Sequence, residues 1–281
     1  MLELLTKEGK VLGISPDTEG VAVLKEGVSF YKRVGEFQIF RVGEYLEILR
    51  GRSIFKRLHL FRGLKDVLIS GHGAEVLIFL VGDNWIESIG SEGLRDEREF
   101  KERIVDVKIA SGLVMVLHNG QIGIFAQTLK KLGGGRRLSI KCPDLLVVFE
   151  TDQQFLGIFS RTQKSLSIFS AKGELVQTVG ATEPLQSVGV FKVGEEVVVA
   201  LGMKGKISIT PFLGGEERVI STDHNEAVTE IVYDSGSETM YSISQEGVLC
   251  ACKMGRAQEV EGAAVFVERR GLTGISVVGA V

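Results

Sequence analysis

Short strand-like segments follow one another along the whole chain, and almost no stretch has the spacing of a helix. Apolar runs of roughly four to eight residues, rich in Val, Ile and Phe, are separated by Gly, Asp, Asn or Ser, which is the pattern of strands and turns. Examples are Val76–Val81, Leu113–Leu117 and Val197–Leu201. The charged stretch Glu92–Arg103 is the one segment that we expect to form a short helix or a solvated connection between strands. The pattern predicts an all-β protein.

The segments recur as a unit of strand, polar turn, strand, glycine turn and strand. Copies span residues 11–31, 104–125, 146–169, 188–209 and 227–252, and less regular copies span 36–61 and 64–90. A spacing of roughly 40 residues is that of a four-stranded propeller blade. Radial stacking covers both faces of each small sheet. We therefore predict one domain over residues 1–281, an all-β propeller of about seven four-stranded antiparallel blades, with a tight hairpin at Asn119-Gly120.

The copy at 227–252 resembles the WD-repeat family. His224, the turn Asp234-Ser-Gly236 and the run Ser242-Ile-Ser-Gln-Glu-Gly247 stand where that family has its histidine, its turn and its Ser-x-Ser-x-Asp-Gly sequence. The Trp-Asp pair that ends the family repeat is replaced by Cys252-Lys253. The resemblance implies a degenerate WD-type propeller.

A narrower resemblance is to the PROPPIN family, the phosphoinositide-binding propellers of autophagy and endosomal traffic. Residues 102–125 are similar to that family's third blade, and Val28–Tyr31 to its first. The family signature is Phe-Arg-Arg-Gly, in which adjacent arginines face opposite sides of a strand and can each bind a phosphate. By blade count the signature should precede Ala227, where only Arg218 stands; in a second register, Glu268-Arg-Arg-Gly271 matches three of its four positions. In that register the resemblance implies a lipid-contacting set: His224, Thr229, Arg269 and Arg270.

Motifs for catalysis or metal binding are absent from the sequence. The histidines are far apart, and none stands with Cys or a carboxylate at the spacing of a zinc site; they are His59, His72, His118 and His224. Cys250 and Cys252 form a CxC pair on a strand, and we expect their thiols to point to opposite faces as packing residues. Gly133–Arg137 has the composition of a phosphate-binding loop without its strand and helix, so we interpret it as a flexible turn. We therefore predict no enzymatic activity, no metal and no cofactor.

Charge and cysteine content restrict the partners and the compartment. A net charge of −3 argues against nucleic-acid binding through bulk charge. Three cysteines and an N-terminal sequence without a secretion signal predict a cytoplasmic or nuclear protein. Because propeller loops cluster on two rims, we expect protein partners. Two functions stay open: a peripheral membrane protein that recruits partners at phosphoinositide-containing membranes in autophagy, or a soluble scaffold subunit of a larger complex with no lipid binding.

Overall fold

All the regular structure in the described part of the chain is β-strand. The structure is a computed structural model and describes residues 2–6, 8–14, 21–60, 62–71, 75–90, 93, 95–132, 136–137, 140, 142–222, 224–254, 265–267 and 272–277. These ranges contain seven four-stranded antiparallel sheets, the blades of a β-propeller, and this confirms the predicted fold class. A helix long and apolar enough to cross a membrane does not occur in them.

The four strands of each blade are hydrogen-bonded to one another in order, so that each strand pairs with the next one in its sheet. The strands are β1 Leu2–Thr6, β2 Val11–Ile14, β3 Val21–Lys25, β4 Val28–Val34, β5 Phe37–Val42, β6 Tyr45–Arg50, β7 Ser53–His59, β8 Asp66–Ser70, β9 Leu77–Val81, β10 Trp85–Ile89, β11 Arg95–Glu99, β12 Ile104–Ala110, β13 Leu113–His118, β14 Gln121–Ala126, β15 Arg136–Arg137, β16 Leu145–Glu150, β17 Gln154–Ser160, β18 Ser165–Ser170, β19 Leu175–Gly180, β20 Ser187–Val193, β21 Glu196–Met203, β22 Lys206–Pro211, β23 Arg218–Ser221, β24 Val228–Asp234, β25 Thr239–Ser244, β26 Leu249–Lys253, β27 Val265–Val267 and β28 Leu272–Val277. The first blade is β28-β1-β2-β3, and the second to seventh are β4–β7, β8–β11, β12–β15, β16–β19, β20–β23 and β24–β27.

The blades fall into two compact units. One unit, residues 1–59 and 179–281, contains the first, second, sixth and seventh blades, and in it β20 contacts β24, β24 contacts β28 and β28 contacts β4. The other unit, residues 60–178, contains the third, fourth and fifth blades, and there β8 contacts β12 and β12 contacts β16. The prediction that residues 1–281 form a single domain stays a prediction.

Within each unit the core lies between neighbouring blades. Phe79 of the third blade and Phe125 of the fourth belong to one apolar cluster, while Met115 of the fourth and Ile158 of the fifth belong to another. The first unit has three equivalent clusters, which join Ile207 to Met240, Leu4 to Ile243, and Val11 to Phe40. Because each cluster is built from two blades, each sheet has a face that is removed from water by its neighbour.

The first blade joins the two ends of the described chain. Its strand β1 pairs on one side with β2 and on the other with β28, where Leu4 lies opposite Ile275. The sequence left the partner of the N-terminal segment open, and the structure assigns it to residues 272–277.

The predicted hairpin at Asn119-Gly120 is confirmed. These two residues connect β13 to β14, with His118 paired to Gln121. Asn119 has a φ of 43° and Gly120 a φ of 66°, the positive values that a two-residue turn of type I′ requires.

Two expectations about the strands are wrong. Residues 11–31 are not one unit, because Val28–Val34 opens the second blade and Gly27 lies in the link between blades. A glycine turn joins blades as readily as it joins strands within a blade, so the turn alone did not give the boundary.

The charged stretch Glu92–Arg103 is not the short helix or the strand connection that we expected, because Arg95–Glu99 forms the charged edge strand of the third blade. Charges on an edge strand discourage pairing with other chains.

Candidate functional site

His224 lies just before β24 and is buried inside the seventh blade. Its Nε2 is 2.9 Å from Ser242 Oγ on β25, and its Nδ1 is 3.6 Å from Cys250 Sγ on β26. The imidazole therefore connects the segment that enters the blade to two of its strands. A buried polar ring is tolerated in an apolar sheet because its nitrogens have such partners.

Ser242 and His224 are residue types that can form a catalytic nucleophile and its general base, but both side chains are buried, which excludes a catalytic role for this contact. Hydroxyl and imidazole within hydrogen-bond distance are the arrangement that activates serine in hydrolases. Here His224 is 3% exposed, Ser242 2% and Cys250 4%, so a substrate carbonyl has no access to the hydroxyl. The contact stabilises the blade.

Replacement of His224 by alanine is expected to lower the free energy of unfolding by about 1–3 kcal/mol, because the Ser242 hydroxyl would lose a buried partner. His59 is exposed, 3.3 Å from Glu44 Oε2, and His59→Ala should change stability by no more than about 0.5–1 kcal/mol. Urea denaturation of both variants measures the difference. Equal effects would contradict the structural role assigned to His224.

The other residues of the predicted lipid-contacting set are placed differently from His224. Thr229 is exposed on β24, and its hydroxyl donates to the Ile243 carbonyl oxygen at 3.2 Å. Arg269 and Arg270 lie outside the described residues, directly after β27. The structure thus brings His224 together with Ser242 and Cys250, and lipid contact by the predicted set stays a prediction.

The expectation that the two thiols of β26 point to opposite faces was wrong, but their expected role as packing residues is confirmed, since both side chains are buried. Residues two apart on a strand share a face, and Cys250 and Cys252 are both buried while Ala251 between them faces the other way, toward the cluster of Leu4 and Tyr241. Burial raises the pKa of the Cys252 thiol, which disfavours the thiolate that chemistry or metal binding needs. Groups of three or more side chains able to hold a metal ion do not occur in the described part of the chain.

A buried carboxylate on β1 is a polar centre that the sequence reasoning missed. Glu3 has no exposed surface, and its Oε1 accepts from Arg33 Nη1 at 3.0 Å and from Gln38 Nε2 at 2.8 Å. The Tyr31 hydroxyl donates to Oε2. Burial and the hydrogen bond to Glu3 raise the pKa of Tyr31 well above its usual range, so the hydroxyl remains a donor at neutral pH. The signal in the sequence is a lone acid within Leu2-Glu-Leu-Leu5.

An open groove of about 590 Å³ lies between the first and second blades. Glu8 is the one charged residue among those that line it, and the rest supply backbone, two hydroxyls and apolar surface; they are Leu5, Thr6, Gly9, Gly27, Val28 and Ser29. A single carboxylate without a base, a cation or a second acid gives no catalytic arrangement.

Solved structures with this fold include propellers with very different sequences. Hsv2 of Kluyveromyces lactis, a PROPPIN, matches with a TM-score of 0.60 at 10% identity, over 79% of this chain and 72% of that one. The WD40 domain of Neurospora crassa Pan2 matches with a TM-score of 0.60 at 13% identity, over 84% and 80% of the two chains. The chain therefore has a WD-type propeller fold, similar to that of PROPPINs. No protein-family model and no curated protein sequence matches it.

The same fold occurs in proteins of different kinds. BBS1N, solved in complex with ARL6, matches with a TM-score of 0.68 at 9% identity, over 91% of this chain and 90% of that one. The dihydro-heme d1 dehydrogenase NirN, an enzyme, matches with a TM-score of 0.64 at 9% identity, over 99% of this chain and 66% of that one. At these identities the likeness establishes the fold, and function has to be argued from the residues of this chain.

Proposed function

We propose that the chain is a non-enzymatic WD-type propeller that recruits protein partners at phosphoinositide-containing membranes in autophagy. The observation that carries the lipid part is the position of Glu268-Arg-Arg-Gly271, which follows the last strand of the WD-like seventh blade. Adjacent guanidinium groups can each hold a separate phosphate. The recruiting part is supported by the fold, which BBS1N uses in its complex with ARL6.

The absence of enzymatic activity is supported by the chemistry of the described residues. The one serine–histidine contact there is buried, the groove between the first and second blades has a single acid, and no metal-binding cluster occurs in that part of the chain. Catalysis needs converging polar groups with access to substrate. A binding platform needs only exposed surface on a rigid scaffold.

Flotation with phosphatidylcholine vesicles, with and without phosphatidylinositol 3-phosphate, tests the lipid part. We expect the protein to float with the phosphoinositide vesicles, and Arg269→Thr combined with Arg270→Thr to reduce recovery about tenfold. The matched control combines Arg52→Thr with Arg161→Thr, which removes two exposed arginines from the second and fifth blades and should float normally. Equal recovery with both vesicle types, or an unchanged result for the Arg269 and Arg270 variant, would remove lipid binding from the proposal.

A second candidate is a soluble scaffold subunit with no lipid function. It is favoured by the burial of His224, since a side chain inside the blade offers no surface to a headgroup. A tagged protein that captures stoichiometric partners from cytosol in detergent, while failing to float with phosphoinositide vesicles, would support this candidate over the first.

A further inference from the structure

A run of cations without acids lies in the fourth blade and directly after it. No Asp or Glu occurs between Asp106 and Asp144, although the chain as a whole has a net charge of −3. The same interval contains six lysines and arginines, which are Lys108, Lys130, Lys131, Arg136, Arg137 and Lys141. A run of cations without interspersed acids is a candidate site for an anionic partner.

The backbone places four of these cations along one outer edge of the blade. Beyond β14 the edge is built in two pieces: Lys131 bridges Phe125, and Arg136 and Arg137 pair with Ile122 and Gln121. Lys130 lies opposite Ala126, whose amide donates to its carbonyl, so the four positions opposite Ala126 to Gln121 span about 17 Å at the rise of a strand. We call Lys130, Lys131, Arg136 and Arg137 the basic edge.

The lysine half of the basic edge is held in place by the fold. The Ala126 amide donates to the Lys130 carbonyl at 2.9 Å, and the Leu132 amide donates to the Ile124 carbonyl at 3.0 Å. Leu129, directly before Lys130, is buried, and its carbonyl accepts from Arg98 Nη1 at 3.3 Å. A partner would therefore meet lysines whose backbone is already ordered, and this lowers the entropic cost of binding.

These lysines are not neutralised by neighbours. Lys130 and Lys131 are exposed and form no salt bridge within the part of the chain that the structure describes. The second blade is also rich in cations, but there Arg33 pairs with Glu3, and Arg57 with Glu47. The positive charge of Lys130 and Lys131 is thus available to a ligand.

Exposed apolar side chains accompany the lysines. Leu132 is 56% exposed, and Ile124, to which its amide is hydrogen-bonded, is 40% exposed. A ligand that fits this surface combines negative charge with apolar groups. An outer sheet edge also offers unpaired backbone groups to an extended segment, which pairs as an added strand. Nucleic acid fits less well, because an exposed aromatic ring for base stacking does not accompany Lys130 and Lys131 among the described residues of this blade.

We propose that the basic edge binds an extended acidic segment of a protein partner. Carboxylates of the segment pair with Lys130 and Lys131, while its apolar side chains pack on Ile124 and Leu132. The inference rests on the proposed recruitment of protein partners, but it uses a different blade from the predicted lipid-contacting set. An experiment can therefore contradict peptide binding by the basic edge without contradicting lipid binding by the predicted set, and the reverse.

Fluorescence anisotropy with a labelled synthetic peptide of alternating glutamate and leucine tests the proposal. We expect the protein to bind this peptide with an affinity that falls as salt rises, and to bind the matching glutamine–leucine peptide at least about tenfold more weakly. Lys130→Glu combined with Lys131→Glu should weaken binding of the acidic peptide at least about tenfold. The control, Lys172→Glu with Lys253→Glu, makes the same change in net charge at two exposed lysines elsewhere and should have less than about a twofold effect.

Several results would overturn the proposal. They are equal binding by the Lys130 and Lys131 variant, equal binding of the glutamine peptide, and a dissociation constant for the acidic peptide weaker than about 1 mM. Binding of phosphatidylserine vesicles that is lost in the same variant, without peptide binding, would assign the edge to a membrane instead. Thermal melting of each variant checks the fold, and the phosphoinositide flotation of the Lys130 and Lys131 variant should be unchanged.

Discussion

Removal of residues 272–281 is expected to leave the protein largely unfolded or aggregated at 25 °C. The deletion takes away β28, which pairs with β1 over five residues from Leu2 to Thr6. At about 1 kcal/mol net per ladder hydrogen bond, the loss is several kcal/mol. The contacts of β28 with β24 and β4 are lost as well. A typical domain is stable by only about 5–15 kcal/mol.

The matched control for this deletion stops at residue 277 and so keeps all of β28. It should have the melting temperature and elution volume of the full chain. The shorter form should lack a cooperative melt and elute as aggregate, because the freed edge of β1 can pair with other chains. A cooperative transition within about 2 °C of the control would show that β28 does not hold the first blade.

The strands and blades could be predicted because their signal is local. A short apolar run between turn residues predicts a strand wherever it occurs, and Asn119-Gly120 predicts its hairpin without reference to the rest of the chain. The boundary near Gly27 could not be predicted in the same way. Glycine permits the turn there, but whether the following Val28–Val34 continues the sheet or begins the next depends on its partner, β5.

The surroundings of the site residues could not be predicted, because they come from distant parts of the chain. Glu3 looks like a solvent-facing acid within an apolar strand, and it is buried by Tyr31 and Arg33, about thirty residues later. His224 is enclosed by Ser242 and Cys250 of the two strands that follow it. Neither contact has a local pattern that would reveal it.

One part of the basic edge could be predicted from the sequence, and the other part required the structure. The run without acids from Asp106 to Asp144 can be read directly from the sequence. That Lys131 and Arg136 share one edge depends on their pairing with Phe125 and Ile122. The composition of Gly133–Arg137 was interpreted as that of a flexible turn. No binding role was therefore predicted for Arg136 and Arg137.

Replacement of Arg33 by leucine is expected to lower the free energy of unfolding by about 3–5 kcal/mol. Arg33 on β4 is the cation that pairs with the buried carboxylate of Glu3 on β1, so it joins the second blade to the first. Without it, Tyr31 and Gln38 still donate to the carboxylate, but no positive charge compensates for its removal from water. Breaking a buried ion pair from one side has a large cost for this reason.

The double variant Glu3→Leu with Arg33→Leu separates the missing charge from the missing contacts. It removes the carboxylate together with its cation, so we expect it to recover at least half of the stability lost by Arg33→Leu. Arg52→Leu, at an exposed arginine of the same blade, should cost no more than about 0.5 kcal/mol. Urea denaturation of the three variants measures all of these values. If the double variant were less stable than Arg33→Leu alone, the cost would lie in packing between the blades, and the buried charge would not be its cause.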